Sequence, residues 1–294
     1  MTVVDDTTVS IPTRMLVLGM AREDGSIHAA ELYEVAEACG QSAEQVRSCL
    51  RRLVGDGDFI REGAGRDAIY RATAEGGSFL STPFERTRRA YAQDAQGRGW
   101  DRYFRLVAFA IPEERRSVRD AFRQVLVGLG GAAIQGGLYV SPHPWHDEVR
   151  READGLGIAD LVTCASADDL AIGATAHPRE LAARLWPVAD LERRYRGLVE
   201  TFTPVVRGLE EMRGRHERLP ETVFLPGALA LTVAFTDVFD ADPLLPPELL
   251  PHPWPGREAR ELAREARRLA FAQREQPSRP GLFRFFDHAL EGIG

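Results

Sequence analysis

Six donor-bearing side chains fall within one short stretch: Ser42, Gln45, Arg47, Ser48, Arg51 and Arg52. Guanidinium, amide and hydroxyl groups in such a cluster suit nucleic acid, because a guanidinium can span guanine O6 and N7 or a phosphate, and an amide can span adenine N6 and N7. Val46, Cys49, Leu50 and Leu53 recur between them at helical spacing, so the donors form the opposite face of an amphipathic helix. Ser42-Ala43-Glu44-Gln45 fits a capping box, which fixes the start of that helix at Ser42. A solvated basic helix face has the same composition, and the next segment separates the two readings. Phe59-Ile60-Arg61 and Ala68-Ile69-Tyr70-Arg71 flank Gly63-Ala64-Gly65-Arg66-Asp67 in the manner of a hairpin. A hairpin directly after a third helix is a wing. It would hold Arg66 at its tip, against phosphate or in a minor groove, where negative potential concentrates.

A second constellation lies further along. Arg193, Arg194 and Arg196 neighbour Trp186, Tyr195 and Phe202, which would pair guanidiniums for phosphates with an apolar slot for an acyl group, as an acyl-CoA effector requires. The competing reading is an amphipathic helix with a solvated basic face. Two other motifs read as structural. Gly128-Leu129-Gly130-Gly131-Ala132-Ala133 matches G-x-G-x-x-A, yet it follows a helix and leads into a strand, the reverse of a dinucleotide fold. His143-Pro144-Trp145-His146 has ligand-like spacing, but Pro144 interrupts any regular helix through it, so a loop surface is expected and no metal site or catalytic residue is assigned.

The chain that must position these groups has 294 residues, enough for two or three domains, and a net charge of −7. All 37 basic residues are arginine, and asparagine is also absent. Without lysine there is no P-loop lysine, Schiff base or kinase lysine. The acidic total excludes bulk attraction to nucleic acid, so any DNA binding must be local. Charge is distributed accordingly: residues 1–44 hold two arginines against eight acids, and residues 45–89 hold nine against six. Cys39, Cys49 and Cys164 lack C-x-x-C spacing, so neither a zinc module nor a disulfide framework is indicated. No apolar run reaches membrane-span length, and the N-terminus is acidic, so the expected location is the cytoplasm, with no membrane partner.

Periodicity predicts helices over Pro12–Ala21 and His28–Ala38 before the Ser42 helix, with Gly40 ending the second. A linker helix is expected over Glu75–Gln96, which carries Phe79, Leu80, Phe84 and Tyr91 along with Arg86, Arg88 and Arg89 as further groups for the DNA backbone. A strand over Tyr103–Ile111, a helix from Pro112 to about Leu129, strands over Ala132–Val140 and near Leu161–Ala165, and a helix near Pro178–Trp186 follow, with the helices on one side of the sheet. Helices are then predicted over Val188–Glu211, Glu221–Phe239 and Arg257–Ala272. Between the last two, residues 242–256 are proline-rich and must form an extended strap packed through its leucines and Trp254. The fold class is therefore multidomain α+β: a winged helix-turn-helix (1–75), a linker helix (76–99), a ferredoxin-like central domain (100–180), a mainly helical C-terminal domain (181–275) and a tail (276–294).

Several segments together resemble the PaaX family of bacterial repressors, named for control of phenylacetic acid catabolism. The resemblance covers about residues 11–269. It rests on the winged module, on Arg105-Leu106-Val107-Ala108-Phe109-Ala110-Ile111-Pro112-Glu113, on Gly137-Leu138-Tyr139-Val140-Ser141-Pro142, on Trp186-Pro187-Val188-Ala189-Asp190-Leu191 and, most specifically, on the strap from Asp242 to Pro251 with Trp254 and Gly256. It implies a winged helix-turn-helix, a central domain similar to the CRISPR spacer-acquisition nuclease subunit, a helical C-terminal domain, and a homodimer released from operator DNA by an aryl-acyl-CoA such as phenylacetyl-CoA. Where the family usually has a strand-end aspartate this chain has Ala110, which argues against the alternative of a metal-dependent nuclease. The expected function is a sequence-specific DNA-binding regulator without enzymatic activity or cofactor. A protein-interaction scaffold on the same fold is the remaining alternative.

Overall fold

In a computed structural model the structure describes residues 11–22, 24–73, 86–95, 99–217, 219 and 221–273. By contact the chain groups into two units, residues 1–92 with 197–237 and 257–294, and residues 93–196 with 238–256. Each is taken separately below.

The first unit opens with α1 (Thr13–Gly19), led in by Pro12. Next come β1 (Ser26–His28), α2 (Ala29–Ala38), α3 (Ala43–Gly55), β2 (Phe59–Glu62) and β3 (Ile69–Ala72). β1 was not expected: Ser26 and Ile27 lie before the expected second helix and His28 was read as its first residue, yet the three form a strand that pairs with β3 at Ser26↔Arg71 and Ile27↔Tyr70. It completes a three-stranded antiparallel sheet of order β1-β3-β2. Leu16, Val17, Ile27, Leu32, Val46, Leu50, Leu53, Phe59 and Tyr70 are buried together, so helices and sheet share one core, which Leu229 also joins.

Residues 86–95 form α4, the described part of the expected linker helix; Phe79, Leu80 and Phe84 lie outside the described residues. Tyr91 on α4 donates to the carbonyl of Arg260, and burial pushes its phenol up to about 12.

The second unit is built on β4 (Phe104–Phe109), α5 (Arg116–Gly128), β5 (Ala132–Gln135), β6 (Leu138–Ser141), α6 (His146–Gly155) and β7 (Val162–Ala167). The strand order is β5-β6-β4-β7 with every pairing antiparallel, which is ferredoxin-like βαββαβ topology. The strand expected over Ala132–Val140 is two strands joined by a tight turn at Gly136 and Gly137. Gly136 has a φ of +49°, and a Cβ on Gly137 would sit 2.3 Å from the Phe109 carbonyl oxygen. α6 was not anticipated. Its first residue is His146, and only Val149 and Ala153 are buried from it.

Both faces of this sheet are covered, where helices had been expected on one side. Val107 and Tyr139 pack with Phe122 of α5 and Val149 of α6, while Phe104, Ala132 and Val140 pack with α7 (Pro178–Leu185) and the strap leucines Leu245, Leu249 and Leu250. The strap behaves as its prolines require: it is irregular except for a short 3-10 turn at Pro247–Leu249. Three long helices complete the described chain: α8 (Val188–Gly214), α9 (Glu221–Phe239) and α10 (Pro255–Gln273). No helix among the described residues is long and apolar enough to cross a membrane.

Candidate nucleic-acid interface

The surface around α3 is built from its own cap. The Ser42 hydroxyl accepts from the Gln45 backbone N–H at 3.3 Å, and the Gln45 side-chain oxygen accepts from the Ser42 backbone N–H at 2.7 Å, so the two residues satisfy donors that the helix start leaves orphaned. Gly40, with a φ of +70°, turns the chain out of α2 two residues earlier, a conformation that favours glycine. The α2–α3 corner is pinned by Gln41, which donates its amide to the Ile11 carbonyl at 2.7 Å.

Val46, Cys49, Leu50 and Leu53 are buried, and this orients the rest of α3 outward. Gln45, Arg47, Arg51 and Arg52 are exposed, and Ser48 is half-buried. The sequence therefore placed all its α3 candidates on one solvent-facing side, with Gln45 and Ser42 also spent on the cap. Burial pushes the Cys49 and Cys39 thiols up, Cys39 to about 11, so both are inert packing groups.

What the sequence reading missed is Glu44. Its Oε2 accepts from Nε and Nη2 of Arg47 at 3.1 and 2.9 Å, and its Oε1 accepts from Nη2 of Arg51 at 3.1 Å. These hydrogen bonds, that from Arg47 foremost, hold the Glu44 carboxyl below its ordinary value. A carboxylate followed by arginines three and seven residues on is the signal that could have revealed it.

The hairpin pairs Phe59↔Ala72 through Glu62↔Ile69, and Gly63 and Gly65 at φ of +75° and +62° shape its loop. Arg66 is exposed in that loop, as is Arg61 on β2, a residue missing from the expected set. Arg71 is held by Glu62 at 2.9 Å and faces Asp24 at 3.7 Å. Arg52, Arg61 and Arg66 carry no ion pair among the described residues. The surface thus has two kinds of guanidinium: Arg47 and Arg51 tied to one carboxylate, and three that are uncommitted.

The proposed effector residues are arranged differently from an open slot. Trp186 is buried and donates its indole N–H to the Gly130 carbonyl at 3.0 Å. Tyr195 is fully buried, donates to Asp242 Oδ2 at 2.8 Å and meets the Trp254 ring edge-on at 5.9 Å. Both rings are therefore core, because the apolar side of α8 and Trp186, two residues before it, turn inward. Arg193 and Arg196 stay on the surface, paired with Asp190 and Glu192 on their own helix. Arg194 is also engaged.

The two remaining motifs receive packing explanations. A Cβ on Gly131 would lie 2.4 Å from the Trp145 ring and 2.7 Å from the Leu126 carbonyl, and Gly130 has a φ of +84°. Gly130 and Gly131 of the G-x-G-x-x-A segment thus serve a turn and a close approach. His143-Pro144-Trp145-His146 is not the loop surface expected of it: Trp145 is buried in the core beneath α5 and α6, and His143 Nε2 lies 3.0 Å from the Pro243 carbonyl of the strap. Ala110 directly follows β4 and donates its N–H to the Leu161 carbonyl. Among the described residues no three His, Cys, Asp or Glu side chains gather as metal ligands.

Comparison with known proteins now bears on this arrangement. Residues 10–76 match the family description "PaaX-like protein", residues 97–182 "PaaX protein central Cas2-like domain" and residues 186–276 "PaaX-like protein C-terminal domain". The chain belongs to the PaaX family. Among PaaX relatives, the protein named Transcriptional repressor PaaX from Escherichia coli (strain K12) is 28% identical over 245 residues, spanning 83% of this chain and 74% of that one. A solved structure, uncharacterized protein Rv0674 from Mycobacterium tuberculosis, superposes with a TM-score of 0.51 at 22% identity, covering 83% of this chain and 89% of the other. That likeness shows the fold alone.

Proposed function

We propose that the chain is a DNA-binding transcriptional repressor in which residues 11–73 act as a winged helix-turn-helix and α3 enters a major groove. The observation that carries this reading is the outward face of α3, with Arg47, Arg51 and Arg52, together with Arg61 and Arg66 on the adjoining hairpin, in a chain whose total charge is −7. Locally concentrated positive charge on an acidic protein limits attraction to one surface. The printed name of the Escherichia coli relative points the same way. Gln45, Arg47, Ser48 and Arg51 are the proposed base readers, and Arg52, Arg61 and Arg66 the phosphate contacts. A homodimer would present two α3 helices to half-sites about 34–36 Å apart.

Release by a small effector such as an aryl-acyl-CoA belongs to the same proposal, with a coupling of about 1–3 kcal/mol between effector and DNA. Trp186 and Tyr195 have core partners of their own, so Arg193, Arg194 and Arg196 would serve only as surface contacts for phosphates. The deciding experiment titrates the full chain, Arg51→Ala and Arg66→Ala against a duplex enriched from a random-sequence library. Each substitution is expected to weaken binding, and unchanged affinity in both would sink the DNA-binding reading. For the effector, phenylacetyl-CoA should raise the thermal midpoint above that with CoA alone, and no shift would remove the effector from the proposal.

A further inference from the structure

We propose that Glu44 is a specificity-determining residue of the α3 surface: it holds Arg47 and Arg51 in one arrangement for base edges while cancelling one of their two charges toward phosphate. This inference rests on the DNA-binding reading above. Glu44 lies in the first turn of α3, and residues three and seven positions later fall on the same side of a helix in successive turns. Each of its carboxylate oxygens is used by a different guanidinium. The bonds occupy Nε and Nη2 of Arg47 and Nη2 of Arg51, leaving Nη1 of both for a base edge.

Stability gives a weak reason for this trio. The side chains of Glu44, Arg47 and Arg51 are 64%, 50% and 67% exposed, and exposed ion pairs contribute little to folding. Their effect on recognition is larger. A guanidinium already held in place loses less freedom on docking, and a planar fork reads a purine edge only in a narrow range of orientations. Meanwhile the trio carries one net positive charge in place of two, so fewer counterions leave any duplex that it approaches. Sequence-independent attraction falls while base reading is preserved, and the ratio between them rises. The uncommitted Arg52, Arg61 and Arg66 supply backbone attraction without this restraint.

The test titrates the full chain, Glu44→Gln and Asp56→Asn against the enriched duplex and a scrambled duplex of equal composition, from about 50 to about 200 mM salt. Glu44→Gln removes the charge at nearly constant shape. Asp56→Asn makes the same charge change just past the other end of α3, at a residue with no ion pair among the described residues. In Glu44→Gln, binding to the scrambled duplex should tighten and its salt slope steepen by about 0.9, while the enriched-to-scrambled ratio falls about tenfold. Asp56→Asn should keep the ratio, and the thermal midpoint of Glu44→Gln should match the parent. An unchanged ratio in Glu44→Gln, or an equal fall in Asp56→Asn, overturns the assignment of Glu44 alone. Failure of the unsubstituted chain to bind either duplex overturns the DNA-binding reading along with it.

Discussion

His146 begins α6 with its ring turned into the second unit, and its Nε2 is buried without a hydrogen-bond partner. Burial, followed by the nearby charge of Arg150, holds its pKa below the ordinary 6.5. The unfolded chain therefore takes up this proton first as pH falls, so stability is complete above about 6.5 and declines below it. The urea midpoint should drop between about pH 7.5 and pH 5.5, and His146→Gln should flatten that drop. Tyr195 offers a second test at this scale. Its hydroxyl donates to Asp242, which is 3% exposed and also accepts from the Leu244 N–H at 2.8 Å. Tyr195→Phe leaves a buried carboxylate short of one donor and should cost about 1.5–3 kcal/mol in denaturant unfolding. Duplex binding by the proposed α3 surface should be untouched by either change, since both residues belong to the other unit.

At the level of elements, α3 stands or falls with its cap. Ser42→Ala removes the acceptor for the Gln45 N–H and should lower stability by about 1 kcal/mol, seen as a shifted urea midpoint. Gly131→Ala is expected to cost more, about 1–3 kcal/mol, because the new methyl meets the Trp145 ring and the rigid Leu126 carbonyl. These elements also show what was legible beforehand. The capping box, the buried stripe of α3, the hairpin and the strap could be read because their signals are local: fixed offsets, helical spacing, glycine and proline. β1 was hidden because three residues are too few for alternation to show, and its pairing with β3 is a tertiary fact. α6 was hidden because its sequence is largely polar and only two of its residues, Val149 and Ala153, are buried, too few for an apolar stripe to stand out. The tie from Glu44 to Arg47 and Arg51 was hidden for another reason: spacing puts the three on one helix side but does not fix which exposed rotamers pair. Trp186 and Tyr195 were read as a ligand slot because spacing reveals which residues share a face and not what that face meets.

Across the whole molecule, the second unit is discontinuous, since residues 93–196 are completed by residues 238–256. Leu245 and Leu249, each 1% exposed, pack in one cluster with Phe104, Ala132 and Val140 of the sheet. Leu245→Ala should cost about 2–5 kcal/mol, a core-sized loss from a segment that looks like a loop, measured by urea unfolding. The same separation governs how the chain is made. When the last sheet strand, ending at Ala167, leaves the ribosome, the leucines that cover one face of that sheet have not yet been synthesised. At about 5–20 residues per second, the sheet waits several seconds or more with Phe104 and Val140 lacking their final cover. During that interval the nascent chain is a substrate for chaperones and for aggregation, and arrival of the strap ends it.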